Sequence, residues 1–245
     1  MSLTPLIVGN WKLNLSLVQA LQQIEILIRE MPVAGAEIAI APVVTQLSAA
    51  CLKVQGASLK IAAQNVFYAA KGAYTGEWAV AHLQELGVSM AIIGHSERRQ
   101  YFAEDSKSVA LKAKACIDGN LTPIVCIGET LAQRRANETQ NVLLEQLEPV
   151  LEQIPENRRN QIVVAYEPVW AIGTGQHAEP EQVARVHEFL RAQVGPSTRL
   201  IYGGSVKADN AAELAAVKDV NGFLVGGASL DANSFLAIAK VFSSL

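Results

Sequence analysis

The sequence predicts an α/β fold, a single-domain (β/α)8 barrel of eight parallel strands over residues 1–245. Three observations lead there. Eight short runs are apolar almost throughout, as parallel strands covered on both faces must be. Stretches with apolar positions at three- and four-residue spacing lie between them, which is the pattern of helices with one buried face. No Pro/Gly/Ser-rich linker, internal repeat or low-complexity block interrupts the alternation. A doubly wound open sheet is the second architecture that such an alternation allows.

The strand runs are Leu6 to Gly9, Glu37 to Ala41, Lys60 to Ala63, Met90 to Gly94, Thr122 to Ile127, Ile162 to Tyr166, Arg199 to Tyr202 and Gly222 to Val225. The clearest helical patterns cover Ser16 to Glu30, Ser106 to Ile117, Thr130 to Ile154, Glu179 to Val194 and Asn210 to Val217. Ser16, Asp209 and the Glu179-Pro180 pair stand where helix starts favour a cap or an early proline, and Gly119 and Gly195 where helices stop.

Composition narrows the function classes. Half of the 245 residues are hydrophobic and 18% are charged, enough for a large core and unlike a disordered chain. A formal net charge of -3 gives no global attraction to nucleic acid or to an anionic membrane, so any phosphate site must be local. Cys51, Cys116 and Cys126 have no framework or metal-ligand spacing and read as buried small hydrophobes in a reducing compartment. The opening Met1-Ser2-Leu3-Thr4-Pro5 is unlike a signal peptide, and the apolar runs are too short to span a bilayer; the expected location is cytoplasmic.

In a barrel of this kind chemistry gathers at the C-terminal ends of the strands. Lys12 follows the first strand and carries an amine suited to anion binding; alone it reads equally as a solvated lysine. His95 follows the fourth strand, where an imidazole can pass a proton or hydrogen bond to a substrate oxygen, although an isolated histidine is more often structural. Glu167 ends the sixth strand beside Pro168, placed to act as a base or to form an ion pair. His82, His177 and His187 lie in helix or loop contexts and read as structural. The segment Pro168 to Gly175 has a rigid start, an apolar tip with Trp170 and Ile172, and two glycines, the composition of a lid that excludes water on closing. Gly203-Gly204-Ser205 and Gly226-Gly227-Ala228-Ser229 follow the last two strands, where barrels bind phosphate through close backbone N–H groups.

The ordered motifs Gly-Asn-Trp-Lys at 9–12, Gly-His-Ser-Glu-Arg-Arg at 94–99, Cys-Ile-Gly-Glu at 126–129, Ala-Tyr-Glu-Pro-Val-Trp-Ala-Ile-Gly-Thr-Gly at 165–175, Tyr-Gly-Gly-Ser-Val at 202–206 and Gly-Phe-Leu-Val-Gly-Gly-Ala-Ser at 222–229 run through almost the whole chain. In sequence and spacing this set resembles the triosephosphate isomerase family. The resemblance implies a TIM barrel that interconverts dihydroxyacetone phosphate and D-glyceraldehyde 3-phosphate in glycolysis and gluconeogenesis, with no cofactor and no metal. It implies Glu167 as the base that generates an enediolate and His95 as the group that polarises or shuttles protons between the two oxygens. Asn10 and Lys12 bind and stabilise the intermediate, with Glu97 supporting Lys12. Gly173, Ser205, Gly226 and Gly227 hold the phosphate, and the lid guards an intermediate that would otherwise eliminate it.

The resemblance further implies a homodimer in which the 64–79 loop inserts Tyr74 and Thr75 into a partner pocket containing Leu13. Several residues depart from the family pattern: Gln176-His177-Ala178 after the lid glycines, Ala63 before Gln64-Asn65, Leu15 after Asn14, and Trp78 and Ala79 beside the dimer loop. None removes a chemical group from the site. Two rival readings share the motifs, an aldolase forming a Schiff base at Lys12 and a catalytically silent barrel that binds a sugar phosphate.

Overall fold

The computed structural model describes residues 3–31, 35–172 and 178–244. Eight parallel strands close into a barrel in chain order, and β8 returns to β1. They are β1 (Leu6–Asn10), β2 (Glu37–Ala41), β3 (Lys60–Ala63), β4 (Met90–Ile93), β5 (Thr122–Ile127), β6 (Val163–Tyr166), β7 (Arg199–Tyr202) and β8 (Gly222–Val225). Closure is completed by Leu6 pairing with Gly222 on one side and Glu37 on the other, so no strand is left with an open edge. The doubly wound open sheet is thereby excluded.

Five strands coincide with the expected runs and three differ by one residue. Gly94, expected within β4, has φ +69°, a left-handed conformation that ends the strand and turns the chain into the next element.

The helices pack around the strands. After β1 comes α1 (Leu17–Glu30), which Ser16 caps through a reciprocal pairing with Gln19; α2 (Leu47–Lys53) follows β2 and α3 (Val80–Leu86) follows β3. Two helices follow β4, α4 (Ser96–Phe102) and α5 (Ser106–Asp118), the second capped by Asp105 and stopped at Gly119. The single helix expected over 130–154 is instead two, α6 (Leu131–Arg135) and α7 (Thr139–Gln153). Asn137, with φ +60°, breaks the run, because one left-handed residue redirects the helix axis. After β6, α8 (Pro180–Val194) starts with proline in its first turn and ends at Gly195. The expected 210–217 helix shrinks to α9 (Ala211–Ala215), and Asp209 does not cap it. Asn210 stands there instead and accepts the Lys207 N–H, closing the preceding turn. The last helix, α10 (Ala232–Lys240), was not singled out by periodicity; Asp231 caps it. Among the described residues no helix is long and apolar enough to cross a membrane.

Two apolar layers hold this arrangement. Alternate strand residues such as Val8, Ala39, Ile92, Ile124 and Ile201 fill the barrel interior. Their neighbours, including Ile7, Ile40, Ile61 and Val164, pack against the helices. Each such aliphatic side chain taken fully out of water contributes roughly 1.5–3 kcal/mol. Cys51, Cys116 and Cys126 are free thiols buried in these layers, as expected. Burial pushes the Cys51 and Cys116 thiols up to about 11 and about 12, so both remain protonated, unreactive packing groups at neutral pH.

His187 of α8 is fully buried, with Nδ1 3.0 Å from the Asp219 carbonyl oxygen and Nε2 without a partner. Because a carbonyl can only accept, Nδ1 carries the proton of the neutral ring. Burial away from water lowers the imidazole from 6.5 to about 4. Between these values the unfolded chain takes up a proton that the folded chain refuses, so stability falls as pH drops through that window. Urea denaturation should therefore show this ring removing about 2 kcal/mol between pH 7 and pH 5. His187→Gln should flatten that part of the slope, and an unchanged slope would show that the ring is already protonated in the folded chain.

Candidate active site

The C-terminal end of β1 delivers Asn10 and Lys12 to the barrel mouth. Between them Trp11 is fully buried and anchors the turn by donating its indole N–H to the Ser229 carbonyl at 2.9 Å. Lys12 has φ +52°, a left-handed backbone that costs a non-glycine residue about 1 kcal/mol or more. The strain is held from both sides. Asn10 Oδ1 accepts the Lys12 N–H at 3.1 Å, and Gln64 Nε2 donates to the Lys12 carbonyl at 2.9 Å. The side chain that results from this turn lies across the mouth, with Nζ 2.6 Å from Glu97 Oε1.

His95 leaves β4 through the left-handed Gly94 and caps α4: its Nδ1 accepts the Glu97 backbone N–H at 3.2 Å. Glu97 Oε2 lies 3.5 Å from the same nitrogen, farther than that N–H. With Nδ1 accepting, a neutral ring carries its proton on Nε2. That nitrogen points into the mouth and lies 3.3 Å from Glu167 Oε1.

Glu167 continues the β5–β6 ladder one step past β6, its N–H donating to the Ile127 carbonyl at 2.8 Å. Its other carboxylate oxygen accepts the Ser96 N–H at 3.4 Å. Only 2% of Glu167 and 5% of His95 is exposed, so the pair meets in a place where water screens little. Gly203 permits this approach, because a Cβ there would come 2.7 Å from Glu167 Cγ.

One cavity of about 460 Å³ is lined by Asn10, Lys12, His95 and Glu167 together with Gly203, Gly204, Ser205, Gly226 and Gly227. A single 3-10 turn, Gly227–Leu230, opens at the second glycine pair. The structure thus brings together every expected site residue among those described. Glu97 does not line the cavity itself; it sits half-buried behind Lys12 as the ammonium's partner. Gly173 lies outside the described residues, as do Gly175, Gln176 and His177, so the segment expected to be a lid is followed only to Ile172.

Up to Ile172, the segment that follows β6 is anchored. Val169–Ala171 forms a 3-10 turn in which Trp170 is half-buried, donating its indole N–H to Glu129 Oε1 at 3.0 Å beneath the Arg134 guanidinium. Tyr166 donates to the same oxygen at 3.2 Å, and Arg134 pairs with it at 3.3 Å. Glu129 is therefore the buried hub that holds the segment after β6, a role that sequence reasoning missed. A glutamate after the fifth strand carries no periodic or compositional mark that separates it from a surface residue. His82 is structural as expected: its Nδ1 accepts the Ala79 N–H at the start of α3.

The loop after β3 stands beside Lys12. Phe67 and Tyr74 pack as tilted rings with centroids 4.6 Å apart, while Trp78 ties the base of the loop by donating to the Asn65 carbonyl. Tyr74 on this loop is exposed, and so are Leu13, Tyr101 and Phe102, which border a second cavity with Lys12. That cavity, of about 510 Å³, is lined also by Val44, Trp78 and Glu97, and Leu13 beside it is 93% exposed.

The fold and the mouth define a class: a (β/α)8 barrel of the TIM type, with a buried carboxylate, an imidazole and an ion-paired amine around one glycine-walled cavity. Comparison with known proteins narrows it. The family model described as triosephosphate isomerase matches residues 5–242. The triosephosphate isomerase of Delftia acidovorans is 47% identical over 240 residues, covering 95% of this chain and 96% of that relative. Those of Ralstonia nicotianae and Trichlorobacter lovleyi are 47% and 46% identical, covering 96% and 97% of this chain and 97% and 98% of the respective relatives. The chain belongs to the triosephosphate isomerase family.

Proposed function

We propose that this chain interconverts dihydroxyacetone phosphate and D-glyceraldehyde 3-phosphate, the isomerisation common to glycolysis and gluconeogenesis, as one domain spanning 1–245 in the cytoplasm. The observation that carries the reading is the 3.3 Å approach of Glu167 Oε1 to His95 Nε2 within the cavity that Lys12 and both glycine pairs also line. Glu167 removes a proton from the carbon beside the carbonyl and returns it to the neighbouring carbon. A carboxylate suits this because it acts as base in one half of the reaction and as acid in the other. His95, with its proton on Nε2, donates to the substrate oxygens as negative charge develops on them.

The Lys12 ammonium and the Asn10 amide stabilise the enediolate oxygens, an effect strongest where donors are fixed before the reaction and water is scarce. Ser205 and the backbone of Gly226 and Gly227 receive the phosphate, with Gly173 joining from the lid. The Lys12–Glu97 ion pair suits binding an anionic oxygen better than attacking a carbonyl, which weighs against a Schiff-base aldolase. The complete acid–base set weighs against a silent binding barrel. Glu167→Ala should lower kcat at least roughly a thousandfold, since it removes a positioned base. A coupled assay showing near-parental turnover would dismiss Glu167 from that role.

The chain acts as a homodimer through the 64–79 loop. Support comes from the exposed Leu13, Tyr101 and Phe102, which border one cavity with Lys12, and from the exposed Tyr74 on the loop after β3, since large apolar side chains left in water favour cover by a partner. Light scattering at micromolar concentration should give about twice the chain mass of 26.3 kDa. A fully active species of single chain mass would contradict this assembly.

A further inference from the structure

Glu167 owes its place to a backbone contact that lies outside the mouth. Residues 127–129 run alongside 167–169 past the ends of β5 and β6: Glu167 N–H donates to the Ile127 carbonyl at 2.8 Å and Val169 N–H to the Glu129 carbonyl at 3.0 Å. Gly128 lies between these two bonds. A Cβ built there would fall 1.7 Å from the Glu167 carbonyl oxygen and 2.6 Å from its carbonyl carbon, so the two backbones touch without room for any side chain. A shift of Gly128 is therefore a shift of Glu167.

The peptide groups of Gly128 have left the sheet and need partners elsewhere. Gln146 of α7 supplies both. Its Oε1 accepts the Gly128 N–H at 2.8 Å and its Nε2 donates to the Gly128 carbonyl at 3.0 Å. The planar side-chain amide thus substitutes for one peptide of a neighbouring strand, at the point where the real ladder stops. Beside it lies a cavity of about 340 Å³, lined among others by Ser96, Gly128, Thr130, Gln146 and Glu167. Without the clamp, the packed interior offers no barrier on that side to movement of Gly128 and of the carboxylate with it.

We infer that Gln146 is a positioning residue for the reaction, clamping Gly128 by a two-point amide pairing and thereby setting the place of the Glu167 carboxylate against His95. The inference rests on the reading of Glu167 as the base. Both hydrogen bonds matter: methionine fills the same volume with neither, and a glutamate carboxylate keeps the acceptor but loses the donor. A misplacement of about 1 Å at a reacting group costs on the order of a hundredfold in rate, so the effect falls on kcat.

The test measures kcat, KM and thermal midpoint for the parent chain, Gln146→Met, Gln146→Glu and Glu167→Ala. Gln146→Met should lose roughly ten- to a hundredfold in kcat with KM within about twofold. Gln146→Glu should lose kcat similarly at pH about 8 and regain it relative to the parent as pH is lowered, because a protonated carboxyl restores a donor beside the acceptor. This pH-dependent recovery keeps the test decisive should the methionine variant fold poorly. A glutamate variant whose kcat ratio to the parent is flat across pH, or losses confined to KM or thermal midpoint, would overturn the inference. If Glu167→Ala abolishes turnover while both Gln146 variants keep parental kcat, the positioning role alone falls. If Glu167→Ala itself turns over normally, the base assignment falls first.

Discussion

Two buried polar groups facing each other at 3.3 Å, the Glu167 carboxylate and the His95 imidazole, impose the constraint around which the rest is arranged. Neither group would stay in such a dry position without compensation, since a carboxylate taken from water costs several kcal/mol unless hydrogen bonded. The Ser96 N–H supplies a hydrogen bond to one carboxylate oxygen, and the polar imidazole edge stands 3.3 Å from the other. Each partner is in turn held by secondary structure: His95 is the cap of α4, and Glu167 is an extension of the β5–β6 ladder. Barrel closure is what allows elements so distant in sequence to meet at a single rim.

Around that pair the charged groups form supports instead of free surface charges. Glu97 receives Lys12 across the mouth. In the link between α4 and α5, Glu104 is buried between Arg98 Nε at 2.8 Å and Lys112 Nζ at 2.6 Å, and the same ammonium donates to Asn65 Oδ1 at 2.8 Å. This network joins α4, α5 and the base of the loop after β3, the same loop on which Tyr74 is exposed. Breaking a buried pair of this kind by removing one partner typically costs about 3–5 kcal/mol, because the other charge is stranded. The helix that His95 caps and the loop after β3 are therefore mechanically linked within one chain.

Much of the fold was legible in the sequence because parallel strands must be apolar on both faces, and that requirement left unbroken runs at Glu37–Ala41, Thr122–Ile127 and Gly222–Val225. The ends of elements were less legible where single residues adopt left-handed backbone, as at Gly94 and Asn137, since such turns depend on local geometry and not on periodicity. Short helices such as Ser96–Phe102 escaped periodicity because they have no buried residue and are defined by their cap. At the site, Lys12, His95 and Glu167 stood out because titratable groups after apolar strands are chemically conspicuous. Gly128 and Glu129 stood within the Cys-Ile-Gly-Glu motif without an assigned role, and Gln146 in no motif, since their roles are relational: each acts by touching a residue far away in sequence. No single-residue property marks such a contact in advance.

The most direct measurement of the central claim, that one buried carboxylate carries a proton between adjacent carbons, is isomerisation in deuterium oxide followed by proton NMR of the product. A carboxylate whose proton exchanges with solvent during the enediolate's lifetime predicts deuterium on the carbon beside the carbonyl of newly formed D-glyceraldehyde 3-phosphate. Product with no deuterium at that carbon at any pH, formed at the same rate when Glu167 is replaced by alanine, would indicate direct hydride migration and contradict the account.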